Sequence, residues 1–166
     1  MDDFNLREMV DADLANLIKY ANNPNIAKNL KNAFPNPYTP ENGKAFIELA
    51  KKDKPTQVFC ICRQGELIGV IYIGQLTDIY CKNAEIGYWL AEPFWGQGVM
   101  TKAVTKILQY GFAALPVERV FAKVFFSNEA SKKVLEKNGF ILEAQLKKTI
   151  FKNGTYIDEF IYAAYR

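Results

Sequence analysis

One segment of the chain has the residue types and spacing of an anion-binding turn. Residues 91–101 follow a strand-like run and open a long amphipathic helix, with Gly96 and Gly98 in the turn between them. Glycine adopts backbone conformations that other residues disfavour, and it lets the main chain approach a ligand closely. The amides from Gly96 to Thr101 would then face one hollow at the positive end of the helix dipole. This pattern predicts a phosphate or pyrophosphate site.

Other nucleotide-binding motifs fit this segment badly. The P-loop spacing, GxxxxGK followed by Ser or Thr, is absent from the sequence. The dinucleotide fingerprint GxGxxG requires a third glycine where Thr101 stands, and it requires parallel strands on both sides. The strand before this turn is instead the third of a run connected mostly by hairpins. A tight turn without a ligand is the alternative interpretation.

The absence of one residue type excludes several mechanisms. Among 166 residues there is no histidine, which excludes Ser-His-Asp and Cys-His catalysis, HExxH metal sites and an imidazole proton shuttle. Three cysteines do not complete a four-ligand zinc site unless a carboxylate joins them, so no metal is expected. We expect Cys60, Cys62 and Cys81 to be buried, reduced thiols of a cytosolic protein.

Charge and hydropathy limit the partners. The formal net charge of +3 is too small to predict nucleic-acid binding by itself. No apolar run approaches the ~20 residues of a membrane span, and the acidic N-terminus lacks the features of a signal peptide. We therefore expect a cytoplasmic protein that binds neither nucleic acid nor a membrane.

Periodicity and turn signals predict a single mixed α/β domain over residues 1–166. Strands are predicted at 4–7, 56–63, 66–76, 84–90 and 117–126. Two further strands are joined by a hairpin at Asn153-Gly154, a strong turn signal. Helices are predicted at 11–21, 25–31, 40–52, 98–114 and 128–138.

Local signals refine two of these helices. Thr39-Pro40 is a typical helix start, with a capping hydroxyl followed by proline at the first helical position. The expected buried stripe of that helix is formed by apolar residues, namely Ala45, Phe46, Leu49 and Ala50. Asp11 or Asp13 could cap the first helix.

The turn and its surroundings also resemble a known family. The stretch Trp95-Gly96-Gln97-Gly98-Val99-Met100 resembles the acetyl-CoA signature (Q/R)xxGx(G/A) of GNAT superfamily N-acetyltransferases. Residues 84–90 resemble the fourth strand of the branch that contains the RimJ/RimL-type ribosomal-protein alanine acetyltransferases. Residues 128–131 and 137–140 resemble the second cofactor helix and its exit. Trp95 and Met100 depart from the signature, but main-chain amides do most of the phosphate binding.

The resemblance implies a fold and a cofactor site. The GNAT fold is an α/β (α+β) domain with a mixed, mostly antiparallel sheet of six to seven strands and helices on both faces. By resemblance, the pyrophosphate of acetyl-CoA would rest on the turn, which comprises Gly96, Gln97, Gly98, Val99, Met100 and Thr101. The pantetheine arm would pair like a strand with the end of the fourth strand, at Trp89, Leu90 and Ala91. This pairing requires that strand and the next one to splay apart.

Asn128 and Ser131 have two interpretations. By resemblance, Asn128 hydrogen-bonds the pantetheine, and Ser131 reaches the cofactor sulfur or its proton. Alternatively, Asn128 only caps the helix and Ser131 is a first-turn residue. Many relatives use a tyrosine one turn further along this helix as the acid, but that position is Leu135 here.

Attack of an amine on a thioester requires removal of a proton, because the amine is mostly ammonium at neutral pH. With histidine absent, Glu85 is the leading candidate for the base, and partial burial beside aromatic residues would raise its pKa. The alternative is a structural charge paired with Lys82 or Arg119, and water could replace a dedicated base.

The acceptor site is expected to be lined by aromatic residues. Phe34, Tyr38 and Trp89 would wall it, with Glu85 close to the amine, and the terminal hairpin would close its other side. Ordinary packing of these aromatics between helix and sheet is the alternative.

The sequence thus predicts an acetyl-CoA-dependent N-acetyltransferase that acts on a protein N-terminal amine or a small-molecule amine, as a monomer or homodimer. A CoA-binding GNAT module without catalytic activity is the alternative. A ribosome- or RNA-associated protein is a third possibility that the modest charge supports poorly.

Overall fold

The computed structural model describes residues 3–166, so that Met1 and Asp2 of the acidic N-terminus lie outside the described residues. Its strands are β1 Asn5–Glu8, β2 Val58–Arg63, β3 Glu66–Gln75, β4 Asn83–Leu90, β5 Arg119–Phe125, β6 Ile141–Lys152 and β7 Thr155–Tyr165. Its α-helices are α1 Leu14–Ala21, α2 Pro24–Ala27, α3 Pro40–Ala50, α4 Val99–Ala114 and α5 Glu129–Glu136. Short 3₁₀ helices are formed by Asp11–Asp13, Asp78–Tyr80 and Glu92–Phe94.

The described strands form a seven-stranded sheet in the order β1-β2-β3-β4-β5-β7-β6. The pairs β1–β2, β2–β3, β5–β7 and β6–β7 are antiparallel, and the pair β4–β5 is parallel. This mixed α/β architecture confirms the predicted fold class. None of the helices in the described part of the chain is long and apolar enough to cross a membrane.

Contacts divide the chain into two compact units. The first contains the chain up to Tyr72 together with Tyr88–Val99, and the second contains Ile73–Gly87 together with Met100–Arg166. The core of the first unit includes Leu17, Ile47, Cys60, Cys62, Leu67 and Trp89.

Helix α3 begins as predicted but buries a different face. Thr39 accepts a hydrogen bond from the Asn42 amide, and Pro40 occupies the first turn. The buried positions are Gly43, Ile47 and Ala50, with Phe46 partly buried. Ala45 is exposed and Leu49 is 59% exposed, so the prediction that they are buried is wrong. The helix packs closely at Gly43, where a Cβ atom would lie 2.7 Å from Leu14 Cδ1 and would require that side chain to shift.

Two further local predictions are corrected. Asp13 does not cap α1 with its side chain. Its carboxylate instead accepts hydrogen bonds from Arg7 at 2.7 and 2.5 Å and from the Val10 amide at 2.9 Å. Cys60 and Cys62 are buried free thiols on β2, but Cys81 is exposed because it directly follows the surface 3₁₀ helix.

In the second unit, the predicted turn residues take left-handed backbone conformations. Asn153 and Gly154 have φ of 51° and 75° in the β6–β7 hairpin, which confirms this turn. Gly139, which follows the end of α5, also has a left-handed conformation with φ of 78°, as predicted for a helix terminator. Close packing of α4 on β3 depends on Gly111, where a Cβ atom would lie 2.3 Å from Ile73 Cδ1.

The Asp13 carboxylate generates a stability prediction. Burial raises its pKa, but the hydrogen bonds from Arg7 and from the Val10 amide outweigh burial and hold the pKa below its ordinary value. A lowered pKa stabilises the fold above the unfolded-state pKa of about 4, and this contribution is lost as pH falls through the folded-state pKa. We expect Asp13→Asn to lower the free energy of unfolding by about 2–3 kcal/mol at pH 7.

Urea denaturation of the wild type and of Asp13→Asn at pH 7, 5 and 3.5 measures this effect. The difference between the two proteins should shrink at the lowest pH. Asp11→Asn is the matched control, because the Asp11 side chain is 82% exposed and its ion pair with Lys51 lies at the surface. A difference that does not change with pH would contradict the assignment.

Candidate active site

The glycine turn between β4 and α4 depends on two left-handed residues. Gly96 has φ of 74° and Gly98 has φ of 76°, both in the region that favours glycine. A Cβ atom at either position would meet nothing within 4 Å. Glycine is therefore required by the backbone conformation, and not by crowding.

The turn presents main-chain donors that the protein does not use. Among residues 3–166, no acceptor takes the N–H groups of Gly96, Gln97, Gly98, Val99, Met100 or Thr101. The last three belong to the first turn of α4, where amides have no partner inside the helix. Together with the positive end of the helix dipole, such donors suit a phosphate or pyrophosphate.

Side chains within the turn hold its shape. The Trp95 indole Nε1 donates to the Leu90 carbonyl at 2.7 Å. Gln97 Nε2 donates to the Pro93 carbonyl at 2.9 Å, and Arg63 Nη1 donates to Gln97 Oε1 at 2.9 Å. Trp95, which departs from the family signature, thus ties the turn to the end of β4.

The 3₁₀ helix before the turn is anchored to the same unit. Glu92 accepts hydrogen bonds from the amide groups of Asn23 at 2.7 Å and Asn25 at 3.2 Å. These hydrogen bonds hold the pKa of Glu92 below its ordinary value. Phe94 packs edge-on against Tyr20 at a centroid distance of 6.0 Å. The segment that enters the turn is therefore fixed by polar and aromatic contacts.

At the end of β4, part of the proposed pantetheine-binding backbone is already engaged. The Ala91 N–H donates to the Ile68 carbonyl at 2.8 Å, and the Ala91 carbonyl accepts from the Phe94 amide at 3.0 Å. Because main-chain groups alternate sides along a strand, those of Tyr88 and Leu90 point to the edge of β4 opposite β3. Within the predicted set of Trp89, Leu90 and Ala91, the main-chain N–H of Ala91 is thus directed to β3, and the main-chain groups of Leu90 are directed to the other edge.

The pairing of β4 with β5 is short. Their parallel register consists of Asn83–Arg119, Ala84–Val120 and Glu85–Phe121, whereas β4 continues to Leu90. The register thus ends at Glu85, the candidate base, which is half-buried. Arg119, one of the alternative partners for Glu85, forms an ion pair with Glu143 and donates to Asn83 Oδ1 at 3.0 Å.

Asn128 caps helix α5. Its Oδ1 accepts a hydrogen bond from the Ser131 amide at 3.2 Å, which is the structural interpretation of this pair. The cap uses Oδ1 and leaves the amide Nδ2 outside it, so capping does not conflict with a ligand contact. Ser131 is half-buried, and Leu135, where many relatives have tyrosine, is fully buried.

Lys132 fixes the orientation of α5. The residue is 7% exposed, and its Nζ donates to Glu129 at 2.6 Å. The same Nζ lies 4.7 and 4.5 Å from the ring centroids of Phe126 and Phe160, as in cation–π contacts. Since these contacts fix the side of α5 that faces the aromatic rings, they also fix the direction of its neighbour Ser131.

Asn138 connects α5 to the first turn of α4. Its Nδ2 donates to the Thr101 carbonyl at 3.0 Å and to the Val134 carbonyl at 2.8 Å. Its Oδ1 accepts from the Thr105 hydroxyl at 2.7 Å. The sequence pattern places Asn138 in the helix exit, and a polar residue just before the terminating Gly139 is the one local signal for such a link.

The aromatic residues predicted for the acceptor site lie together in the first unit. Ring centroids are 5.2 Å apart for Phe34 and Tyr38 and 6.0 Å apart for Phe34 and Trp89. Burial raises the pKa of Tyr38 to about 12.

The predicted site residues divide between the two units. The first unit contains the aromatic cluster, the end of β4 and the turn up to Val99. The second unit contains Glu85, Met100, Thr101, Asn128 and Ser131.

Curated relatives of this chain are N-acetyltransferases by name. The ribosomal-protein-serine acetyltransferase of Escherichia coli is 37% identical over 107 residues, which are 64% of this chain and 59% of that protein. The uncharacterized N-acetyltransferase YoaA of Bacillus subtilis is 39% identical over 59% of this chain and 55% of its own length. The matched segment thus spans less than two thirds of these relatives. Spermidine N(1)-acetyltransferase of E. coli is 26% identical over 91% of this chain and 80% of that protein.

Solved structures and a family model complete the comparison. The ribosomal alpha-N-protein acetyltransferase RimL, in complex with coenzyme A, superposes with a TM-score of 0.86 at 25% identity, covering 99% of this chain and 95% of that one. The microcin self-immunity acetyltransferase MccE, in complex with acetyl-CoA and AMP, also gives 0.86, at 26% identity over 100% and 94%. The model of the acetyltransferase (GNAT) domain matches residues 3–141. This chain is therefore a member of the GNAT acetyltransferase family.

Proposed function

We propose that this protein is an acetyl-CoA-dependent N-acetyltransferase that acetylates a primary amine. One observation carries the proposal: a turn held by left-handed glycines presents consecutive main-chain N–H groups that donate to no acceptor among residues 3–166. A diphosphate with several acceptor oxygens satisfies such donors. Membership of the GNAT family and the CoA complexes of two structural neighbours support the same ligand.

The cofactor contacts follow from the turn and the flanking strand. The amides of Gly96 to Thr101 would bind the pyrophosphate, and Thr101 could add its hydroxyl. The main-chain groups of Tyr88 and Leu90 would bind the pantetheine arm, since they point to the edge of β4 opposite β3. Asn128 Nδ2 would donate to the same arm. Trp95 keeps the Leu90 carbonyl engaged, so Leu90 would contribute its N–H to the arm.

In the reaction, the amine nitrogen attacks the thioester carbonyl carbon, a C–N bond forms and the C–S bond breaks. The ammonium form must first lose a proton, and we propose that the Glu85 carboxylate is the base that removes it. The leaving thiolate takes up a proton, which the Ser131 hydroxyl could deliver or relay. Leu135 is buried and apolar, so a tyrosine acid at this position is excluded.

The acceptor amine would bind along the aromatic cluster of Phe34, Tyr38 and Trp89. Its identity is open between a protein N-terminus and a small molecule, because the relatives include a ribosomal-protein-serine and a spermidine acetyltransferase. A CoA-binding module without activity is the second candidate. It is favoured by the buried Met100, which stands where the family signature has Gly or Ala.

The first prediction separates these functions. Because a ligand at a hundredfold excess over its Kd stabilises the native state by about 2.7 kcal/mol, CoA should raise the melting temperature, whereas NAD and ATP should have little effect. Thiol release from acetyl-CoA with a panel of peptides and amines should then exceed the rate without acceptor. Binding without acceptor-dependent thiol release would identify a binding module, and no shift with CoA would overturn both proposals.

The second prediction concerns the turn. Gly98→Ala should raise the Kd for CoA by roughly tenfold or more, because an L-residue at this φ moves the donors, each worth about 1.5–3 kcal/mol toward a charged oxygen. Isothermal titration with CoA measures the change. Gly65→Ala is the matched control, since Gly65 has φ of 84° and likewise nothing within 4 Å of a Cβ atom. Equal CoA affinity of both variants would contradict the assignment of the turn.

The third prediction concerns the base. Glu85→Gln should lower kcat by roughly 10²–10⁴, with the Kd for CoA unchanged, because general-base assistance is lost. The deficit should shrink at high pH, where more of the amine is already neutral. Glu118→Gln, an exposed acid in the same unit, is the control. An unchanged pH–rate profile in Glu85→Gln would show that water or another group removes the proton.

A further inference from the structure

Tyr38 is almost completely buried in the first unit. It is only 5% exposed, and its ring packs against Phe34 and belongs to the core cluster that includes Trp89. Its main-chain N–H donates to Asn22 Oδ1 at 3.2 Å. The Cβ position of Gly43 lies 3.7 Å from Tyr38 Cε1. The ring is thus fixed by neighbours on several sides, and its position is defined by the core.

The Tyr38 hydroxyl has no hydrogen-bond partner among residues 3–166, although buried tyrosine hydroxyls usually have one. Every fully buried side-chain nitrogen or oxygen in the described part of the chain does have a partner. The Tyr38 oxygen is therefore not fully buried, and it contributes to the small exposed area of the residue. The fold thus buries nearly all of Tyr38 and leaves its hydroxyl oxygen at least partly accessible.

The hydroxyl remains a donor at all working pH values. Burial of Tyr38 raises its pKa to about 12, so the phenol keeps its proton at and well above neutral pH. A neutral O–H beside apolar ring walls suits an oxygen acceptor, because a carbonyl that enters such surroundings without a partner loses its hydrogen bonds to water.

We infer that the Tyr38 hydroxyl is a specificity-determining group that donates a hydrogen bond to a carbonyl oxygen adjacent to the acceptor amine. This inference rests on the proposed function, which places the acceptor along Phe34, Tyr38 and Trp89. Such a hydrogen bond would favour one class of acceptor amine over another. A peptide N-terminus carries a carbonyl next to its amine, whereas a polyamine has no such oxygen and gains nothing specific from this donor.

Tyr38→Phe removes only the hydroxyl, and the test compares two acceptor types. The probes are tripeptide amides that begin with glycine, alanine or serine, and spermidine, each measured with saturating acetyl-CoA. In Tyr38→Phe, KM for the peptide amides should rise about three- to tenfold, as expected for one neutral hydrogen bond, with kcat and the KM for acetyl-CoA unchanged. Any turnover of spermidine should be unaffected. Equal effects on both acceptor types, or none on the peptides, would overturn the inference.

A stability measurement and a control variant separate this role from a structural one. Since the hydroxyl has no partner in the described chain, Tyr38→Phe should keep the melting temperature of the wild type; a decrease would reveal an internal partner and refute the inference. Tyr165→Phe is the matched control, because the Tyr165 hydroxyl donates to Glu143 at the surface. It should leave both acceptor KM values unchanged.

Failure of the proposed function gives a different result. If the wild type releases no thiol with any acceptor, catalysis is refuted, and binding becomes the readout for Tyr38. Titration of the same tripeptide amides into the CoA-saturated wild type should then give a three- to tenfold lower Kd than titration into Tyr38→Phe. Equal Kd values, or no binding of peptide to either protein, would overturn the inference independently.

Discussion

The left-handed backbone at Gly96 and Gly98 is the constraint on which the proposed activity depends. A helix start always leaves amides without internal partners, but in most proteins side chains or water satisfy them. Here the two glycines turn the chain so that a further set of amides precedes those of α4, and no protein acceptor in residues 3–166 meets them. The main-chain N–H groups of the turn, and not its side chains, therefore make this position favourable for an anion. In the proposed function, the main chain would bind the diphosphate, so side-chain departures within the signature would be tolerated.

The neighbouring side chains serve to hold this backbone in place. Trp95 and Gln97 use their polar atoms on carbonyls of the same segment, at Leu90 and Pro93, and Arg63 adds a bond from β2. Rigidity of this kind lowers the entropic cost of binding, because the donors are already oriented before the ligand arrives. A tryptophan where the family commonly has arginine or glutamine thus replaces one polar side chain by another donor, directed toward the protein itself.

Sequence patterns identified features that depend on local chemistry. The Thr39-Pro40 helix start, the Asn153-Gly154 hairpin and the Gly139 terminator all follow from conformational preferences of one or two residues, and the structure confirms them. The buried face of α3 was mispredicted because its phase is set by contact of Gly43 with Leu14, which lies on another helix. The direction of the main-chain groups at the end of β4 and the surroundings of the Tyr38 hydroxyl likewise depend on neighbours that are distant in sequence, whereas the Asn128 cap is local and was one of its two predicted interpretations.

The Asn138 link has a consequence for how the second unit responds to a ligand. One amide group joins the first turn of α4 to the last turn of α5 through carbonyls of Thr101 and Val134. Local opening of either helix end breaks bonds shared with the other, so the two ends belong to one cooperative unit. A molecule that immobilises the α4 end would therefore also suppress fraying at the last turn of α5, and the entropic cost of ordering both helix ends would enter the binding free energy as one contribution.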